Sequence, residues 1–367
     1  MLTKNLILLS GYLLLFLSQS VAANHLEYWS LQEYLTLHPE QQALSKAFAK
    51  RVRQEVQPST KKLAKPLRIA LLTPDQQVSD YWSRNQQSLS KRLTELGVSF
   101  SLQNYSSLPA THTREQEQLL ANALQSDPDY LILTLNTARE AILLDKLLTR
   151  DKPKIIVMNI TTPLKHLGAK QPFFYVGFDH EQGTQLLQRK MKEMTGGQAN
   201  YLMLYGTRGY ISRVRGDSFI QLNQKEDNIS LSQAFYTDVK PEKTKQAIFE
   251  ALTAKPNINL IYACTTDIAL AAAKALKAMG KQENTIINGW GGGSDELAAL
   301  VAGELDLTVM RMNDDNGIAI AEAIMLDQLG KKEAVPQVYN GDFVLIDQHT
   351  SPAALERFKS HAFRYSN

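Results

Sequence analysis

The sequence predicts an α/β protein built of two doubly wound lobes, and three observations carry that prediction. Short β-branched runs alternate with amphipathic stretches of about 10–16 residues from position 67 onward, the pattern of successive βαβ units around parallel sheets. Eleven such runs occur, at 67–73, 98–104, 130–135, 154–159, 173–178, 200–205, 231–236, 260–265, 285–290, 307–312 and 343–347, more than one compact sheet accommodates. Polar and aromatic clusters recur just beyond the runs, where open α/β sheets bind their ligands.

Composition limits the function classes. The chain has 367 residues, 44% of them apolar and 21% charged, which is ordinary globular usage and excludes a long disordered protein. Its 40 basic and 37 acidic residues leave a net charge of +3, with no basic run dense enough to track a phosphate backbone. Nucleic acid is therefore not an expected partner.

Residues 1–23 read as a secretory signal: Lys4, an apolar stretch from Leu6 to Leu17, then Val21-Ala22-Ala23 at the cut. Cleavage near Ala23 is expected. The alternative, an uncleaved anchor, is disfavoured because the stretch is short for a bilayer and no later segment approaches about 20 apolar residues. Residues 24–66 form a helix-prone arm, with Leu31, Tyr34, Leu35, Leu44, Phe48 and Val52 at irregular helical spacing, and end in a linker from Pro58 to Pro66. The single cysteine, Cys264, lies in an apolar run, so no intramolecular disulfide forms and a buried, inert thiol is expected. After that run, residues 267–279 place Ile268, Ala271, Ala272, Ala275, Leu276 and Met279 on one helical face and stop at Gly280.

The candidate site residues follow the strands. Gln77, Ser79 and Trp82 lie after the first run, Asn136 and Thr137 after the third and Asn159 after the fourth. Thr266 and Asp267 follow the eighth, Trp290 precedes Gly291-Gly-Gly-Ser294, and Arg311 ends the tenth. Arg213 and Arg215 sit at the predicted start of a helix. Indole rings cover the apolar faces of a sugar-like ring, and guanidinium forks donate paired bonds to anionic oxygens. The set therefore points to a small polyhydroxylated, anionic ligand. Each member also has a structural alternative: core aromatics, ion pairs of Arg215 with Asp217 and Arg311 with Asp314, strand ends at Asn159 and Thr266, and a helix cap at Asp267. The Gly291–Gly293 turn lacks the ending of a phosphate loop, the seven histidines have no zinc spacing, and no catalytic constellation stands out.

Gln76-Gln-Val-Ser-Asp-Tyr-Trp82, Asn159-Ile-Thr-Thr-Pro163, Tyr175-Val-Gly-Phe-Asp-His180, Gly209-Tyr-Ile-Ser-Arg-Val-Arg-Gly-Asp217, Ile261-Tyr-Ala-Cys-Thr-Thr-Asp267, Ile287-Asn-Gly-Trp-Gly-Gly-Gly-Ser294, Met310-Arg-Met-Asn-Asp-Asp315 and Ala362-Phe-Arg-Tyr-Ser366 give the chain a family resemblance. It resembles the type I periplasmic sugar-binding proteins, in their autoinducer-2-binding branch. The resemblance implies two Rossmann-like lobes joined by a hinge of three crossings, with lobe 1 at 67–178 and 292–331 and lobe 2 at 179–291 and 332–367. It implies a periplasmic, non-enzymatic receptor for a furanosyl borate diester, with no cofactor or metal beyond the ligand's own borate. Gln77, Ser79, Trp82, Asn159, Arg215, Thr266, Trp290 and Arg311 would hold that ligand, and Asp267 joins them from the reading of the residues alone. The implied partner is the periplasmic domain of a membrane-bound hybrid sensor kinase, LuxQ. Asn136 stands where the resemblance leads us to expect an acidic residue, and the arm matches only loosely.

Competing readings share parts of this pattern. A binding protein delivering a neutral monosaccharide to an ABC importer has the same fold without needing two arginines. A sugar-responsive repressor needs a helix-turn-helix where the export signal lies. An enzyme needs a cofactor fingerprint or paired carboxylates that the sequence does not place.

Overall fold

Parallel strands buried on both faces need continuous apolar runs, and the strands fall on those runs. They are β1 (Leu67–Pro74), β2 (Phe100–Ser107), β3 (Tyr130–Thr134), β4 (Lys154–Met158), β5 (Phe174–Gly177), β6 (Ala199–Tyr205), β7 (Ile229–Tyr236), β8 (Leu260–Ala263), β9 (Ile286–Gly291), β10 (Leu307–Arg311), β11 (Val338–Asn340) and β12 (Phe343–Asp347). The helices are α1 (Leu31–Leu37), α2 (Pro39–Arg53), α3 (Tyr81–Glu95), α4 (Thr113–Gln125), α5 (Ala138–Leu147), α6 (His180–Met194), α7 (Tyr210–Asn223), α8 (Pro241–Ala254), α9 (Thr266–Ala278), α10 (Ser294–Val301), α11 (Asp314–Gln328) and α12 (Pro352–Ala362). This computed structural model describes residues 28–58, 65–74, 77–107 and 113–367. The signal-like segment 1–23 lies outside the described residues.

Among the described residues the strands form two sheets of six, ordered β11-β5-β4-β3-β1-β2 and β12-β10-β9-β8-β6-β7. All pairings are parallel except that of β10 with β12. Each sheet reverses its strand order beside its first strand, β1 or β6, which creates the crevice where such folds bind ligands. The chain passes between sheets three times, after β5, β10 and β11. The fold is thus the two-lobed type I periplasmic binding protein architecture.

Two boundary expectations need correction. Segment 292–331 does not belong wholly to the first lobe: β10 pairs with β9, so the second crossing comes after Arg311. Segment 332–367 does not belong wholly to the second lobe, because β11 pairs with β5 of the first sheet. That three-residue strand is too short for its alternation to be read. The described part of the arm packs α2 against α11 and β11, with Phe48 and Val52 in the first core and Arg51 bonded to Glu322 at 2.5 Å.

Helices cover both faces of each sheet. On the first, α3 and α11 enclose one core, where a Cβ on Gly317 would come within 2.4 Å of the Asn85 carbonyl, so close packing requires glycine. Leu131, Leu133, Ile155 and Val157 face the core on the opposite side. Cys264 is buried in the second lobe beside Met203, and burial pushes its thiol pKa up, as the inert reading expects.

Candidate functional site

All nine residues singled out from the sequence, Gln77, Ser79, Trp82, Asn159, Arg215, Thr266, Asp267, Trp290 and Arg311, line one cavity between the lobes. It measures about 170 Å³. The first lobe supplies its face from the ends of β1, β3 and β4, the second from β8, β9, β10 and the first turns of α7 and α9.

The neutral face comes first. Trp82 and Tyr81 meet edge to face at 4.7 Å, and the Trp82 indole N–H donates to Gln77 Oε1 at 2.8 Å. Asn159 follows β4 with φ +70° and its buried Oδ1 has no partner among the described residues. A Cβ on Gly177 would lie 2.6 Å from Ile160 N, so glycine there lets the chain pass close behind Asn159. The Asn136 Oδ1 accepts from Ile211 N–H, which fixes the amide's orientation and leaves its NH₂ as a donor at the cavity wall. Where an acidic residue was expected, the chain thus presents a neutral donor.

The charged face belongs to the second lobe. Arg215 stacks on Trp290 with its guanidinium carbon 3.5 Å from the ring centroid, and donates to the Cys264 carbonyl at 2.8 Å and to His180 Nδ1 at 3.3 Å. His180 Nε2 lies 2.8 Å from the Asn159 carbonyl, so Nε2 carries the proton and Nδ1 is free to accept. Burial, then the Arg215 charge, holds the His180 pKa well below the ordinary value and keeps the ring neutral.

Arg311 lies over the Tyr81 ring at 3.9 Å and makes no hydrogen bond among the described residues; its Nε is buried without a partner. Gly291, at φ +141°, makes room for it, since a Cβ would come 2.7 Å from Arg311 Nη2. Both arginines are 4% exposed. Desolvation, then its neighbour Arg311, lowers the Arg215 pKa to about 9, and desolvation lowers that of Arg311.

The alternative ion pairs do not form. Asp217 accepts from Tyr205 O–H, and Asp314 from the Tyr365 and Ser366 amides. Asp267 is not the cap of α9, because Thr265 takes the Ile268 N–H; Asp267 instead accepts Val78 N–H across the cleft at 2.8 Å. Thr266 donates its hydroxyl to the Trp290 carbonyl, and Trp290 is buried yet borders the cavity. The glycine segment is the strand-to-helix turn expected, shaped by the buried Glu296, whose oxygens accept from Trp290 N–H, Gly292 N–H and Thr308 O–H.

Sequence reasoning missed His180, Tyr81 and Glu296 as supporting residues. Only their places beside strand ends could have marked them: His180 opens the first crossing, Tyr81 adjoins Trp82, and Glu296 sits two residues beyond the turn.

Comparison with known proteins gives consistent results. A family profile described as a periplasmic binding protein domain matches residues 69–333. The ribose import binding protein RbsB of Salmonella typhimurium is 26% identical over 174 residues, which is 47% of this chain and 57% of that protein. Its Escherichia coli counterpart matches to the same extent, so the chain spans little more than half the length of these relatives. Three solved structures share the fold. An Actinobacillus succinogenes ABC transporter periplasmic solute binding protein with bound D-allose has TM-score 0.68 and 21% identity, covering 80% of this chain and 100% of its own. An Agrobacterium vitis solute binding protein with α-D-tagatopyranose has TM-score 0.71 and 15% identity, covering 80% and 98%. A fructose-binding periplasmic domain of a hybrid two-component system has TM-score 0.69 and 17% identity, covering 81% and 99%.

Proposed function

The chain belongs to the periplasmic binding protein domain family, and from that premise we propose that it is an exported receptor that closes over a small anionic polyol. One observation carries the anionic part: Arg215 and Arg311 are both buried at the cavity, and neither has a carboxylate within bonding distance among the described residues. Burying an uncompensated cation is costly, so two side by side favour an incoming negative charge. Charge-assisted bonds of about 1.5–3 kcal/mol each would then be recovered on binding.

Within this class the ligand we propose is the autoinducer-2 furanosyl borate diester, and the protein the receptor of LuxP type. Trp82 and Trp290 would cover the ring faces; Gln77, Ser79, Asn159 and Thr266 would bond its hydroxyls; the two arginines would balance the borate. Asp267 would act at the lip, since its Oδ1 is engaged by Val78. Ligand contacts from both lobes favour the closed form by differential affinity, and closure would be read by the periplasmic domain of the kinase LuxQ.

A second reading has its own support. The named relatives import ribose, and two of the similar structures hold neutral hexoses, which favours a monosaccharide carrier for an ABC importer over the signalling role. Competitive titration separates the two, using D-ribose, D-galactose, and 4,5-dihydroxy-2,3-pentanedione with and without borate. Binding that requires borate supports the anionic receptor; ribose or galactose displacing the borate complex at equal concentration supports the carrier.

A further inference from the structure

Two helices of the second lobe begin after a glycine, with no side-chain cap of their own. Helix α7 starts after Gly209 and α10 after Gly293, and neither glycine can supply a side-chain acceptor. Glycine is only modestly favoured there, because the first helical amides lack intrahelical partners and serine, threonine, asparagine or aspartate usually serves them. Helices α5, α6 and α9 follow that rule, capped by Thr137, Asp179 and Thr265.

The missing acceptors come from the opposite lobe. Asn136, after β3, takes Tyr210 N–H on its carbonyl at 2.8 Å and Ile211 N–H on Oδ1 at 3.1 Å. Asp80, after β1, takes Ser294 N–H at 3.2 Å and Ser294 O–H at 2.8 Å on one carboxylate oxygen. Asp80 is itself the N-cap residue of α3 but makes no side-chain cap there; its carboxylate is spent on Arg84 and on the other lobe's helix. The two glycines leave room for this: a Cβ on Gly209 would lie 2.3 Å from the Asn136 side chain, and one on Gly293 2.4 Å from Asp80 Oδ1.

We propose that Asp80 and Asn136 are closure-determining residues, acting as caps that α7 and α10 receive only when the lobes meet. Opening about the three-strand hinge exposes both helix ends to water; closing restores them to a fixed oxygen, with the helix dipole favouring the Asp80 carboxylate. The affinity of the cleft therefore depends on two lobe-to-lobe contacts besides those the arginines and indoles offer a ligand. The inference needs two lobes that move, and it holds whichever ligand fills the cavity.

Single-molecule energy transfer between dyes on the two lobes tests it, through the closed fraction without ligand and at half-saturation, together with the dissociation rates of D-ribose and of 4,5-dihydroxy-2,3-pentanedione with borate. In Asp80→Ala the closed fraction falls about fivefold. In Gly293→Ser and Gly209→Ser it falls about tenfold or more, because the new hydroxyl caps the open helix and its Cβ collides with the closed partner. Ser294→Ala is the mild variant: Ser294 is exposed, and losing its hydroxyl bonds gives about a twofold fall with folding intact. Faster dissociation with unchanged association accompanies each. A closed fraction unchanged in all four variants overturns the proposal, as does weaker binding that arises from association alone. If neither probe binds, the ligand reading fails while the closed fraction still decides the caps.

Discussion

Arg92 and the cleft pair Arg215 and Arg311 are buried alike, at 2%, 4% and 4% exposure, yet their surroundings differ in kind. Arg92, on α3, points at α11, 2.6 Å from Glu322 and bonded to the Tyr365 hydroxyl and the Gln54 carbonyl. Glu322 in turn accepts Arg51 at 2.5 Å. Every charge there is answered by the protein. Arg215 reaches only a carbonyl, a neutral imidazole and the Trp290 ring, and Arg311 only the faces of aromatic rings. A buried cation with its own carboxylate is part of the fold. One without a carboxylate marks where a ligand is expected to complete the electrostatics.

The largest effect expected breaks the paired member. Arg92→Ala leaves Glu322 buried with one partner fewer and costs about 3 kcal/mol in denaturant unfolding, with ligand affinity unchanged once folded. Next, Arg311→Met and Arg215→Met each weaken binding of the borated probe at least tenfold by calorimetry, while unfolding free energy holds or rises by about 1 kcal/mol as a desolvated cation is lost. Unchanged isotherms in both variants would take the arginines out of the site.

The third test uses His180. Its folded pKa is depressed, so below the unfolded value near 6.5 the unfolded chain binds a proton that the native chain refuses. Stability linked to His180 is thus present above pH 6.5 and lost as pH falls, by up to about 1.4 kcal/mol per pH unit. His180→Gln should flatten the pH dependence of unfolding relative to the unsubstituted protein between pH 6.5 and 5; parallel curves would contradict the neutral assignment. The smallest effect is proton uptake. With the Arg215 pKa lowered to about 9, an arriving anion raises it, so binding near pH 9 takes up a fraction of a proton, seen as a calorimetric enthalpy that depends on the buffer. A neutral ligand produces no such dependence.

The two lobes and the residues that line the cleft were legible in the sequence because both rest on local pattern. Buried parallel strands leave apolar runs, and the ends of those runs locate the cleft; Gln77, Trp82, Asn159, Trp290 and Arg311 could be picked without knowing the strand order. What stayed hidden depends on pairing at long range. The second and third crossings were misplaced because nothing local tells β10 to join β9 or β11 to join β5. Asp267 looked like a cap because it opens a helix, but Thr265, two residues earlier, holds the N-cap position and takes the Ile268 N–H. Likewise, no spacing rule pairs Arg92 with Glu322, 230 positions away, or leaves Arg311 unpaired beside Asp314.

The most direct measurement is the identity and charge of what the protein carries. Protein purified from cells that make the ligand is heated to release its contents, and boron NMR with mass spectrometry is run on bound and released fractions. A stoichiometric borate ester, absent from Arg311→Met protein prepared in parallel, is the predicted result. A neutral monosaccharide bound equally by both proteins would contradict the claim that an anion answers the two cleft arginines.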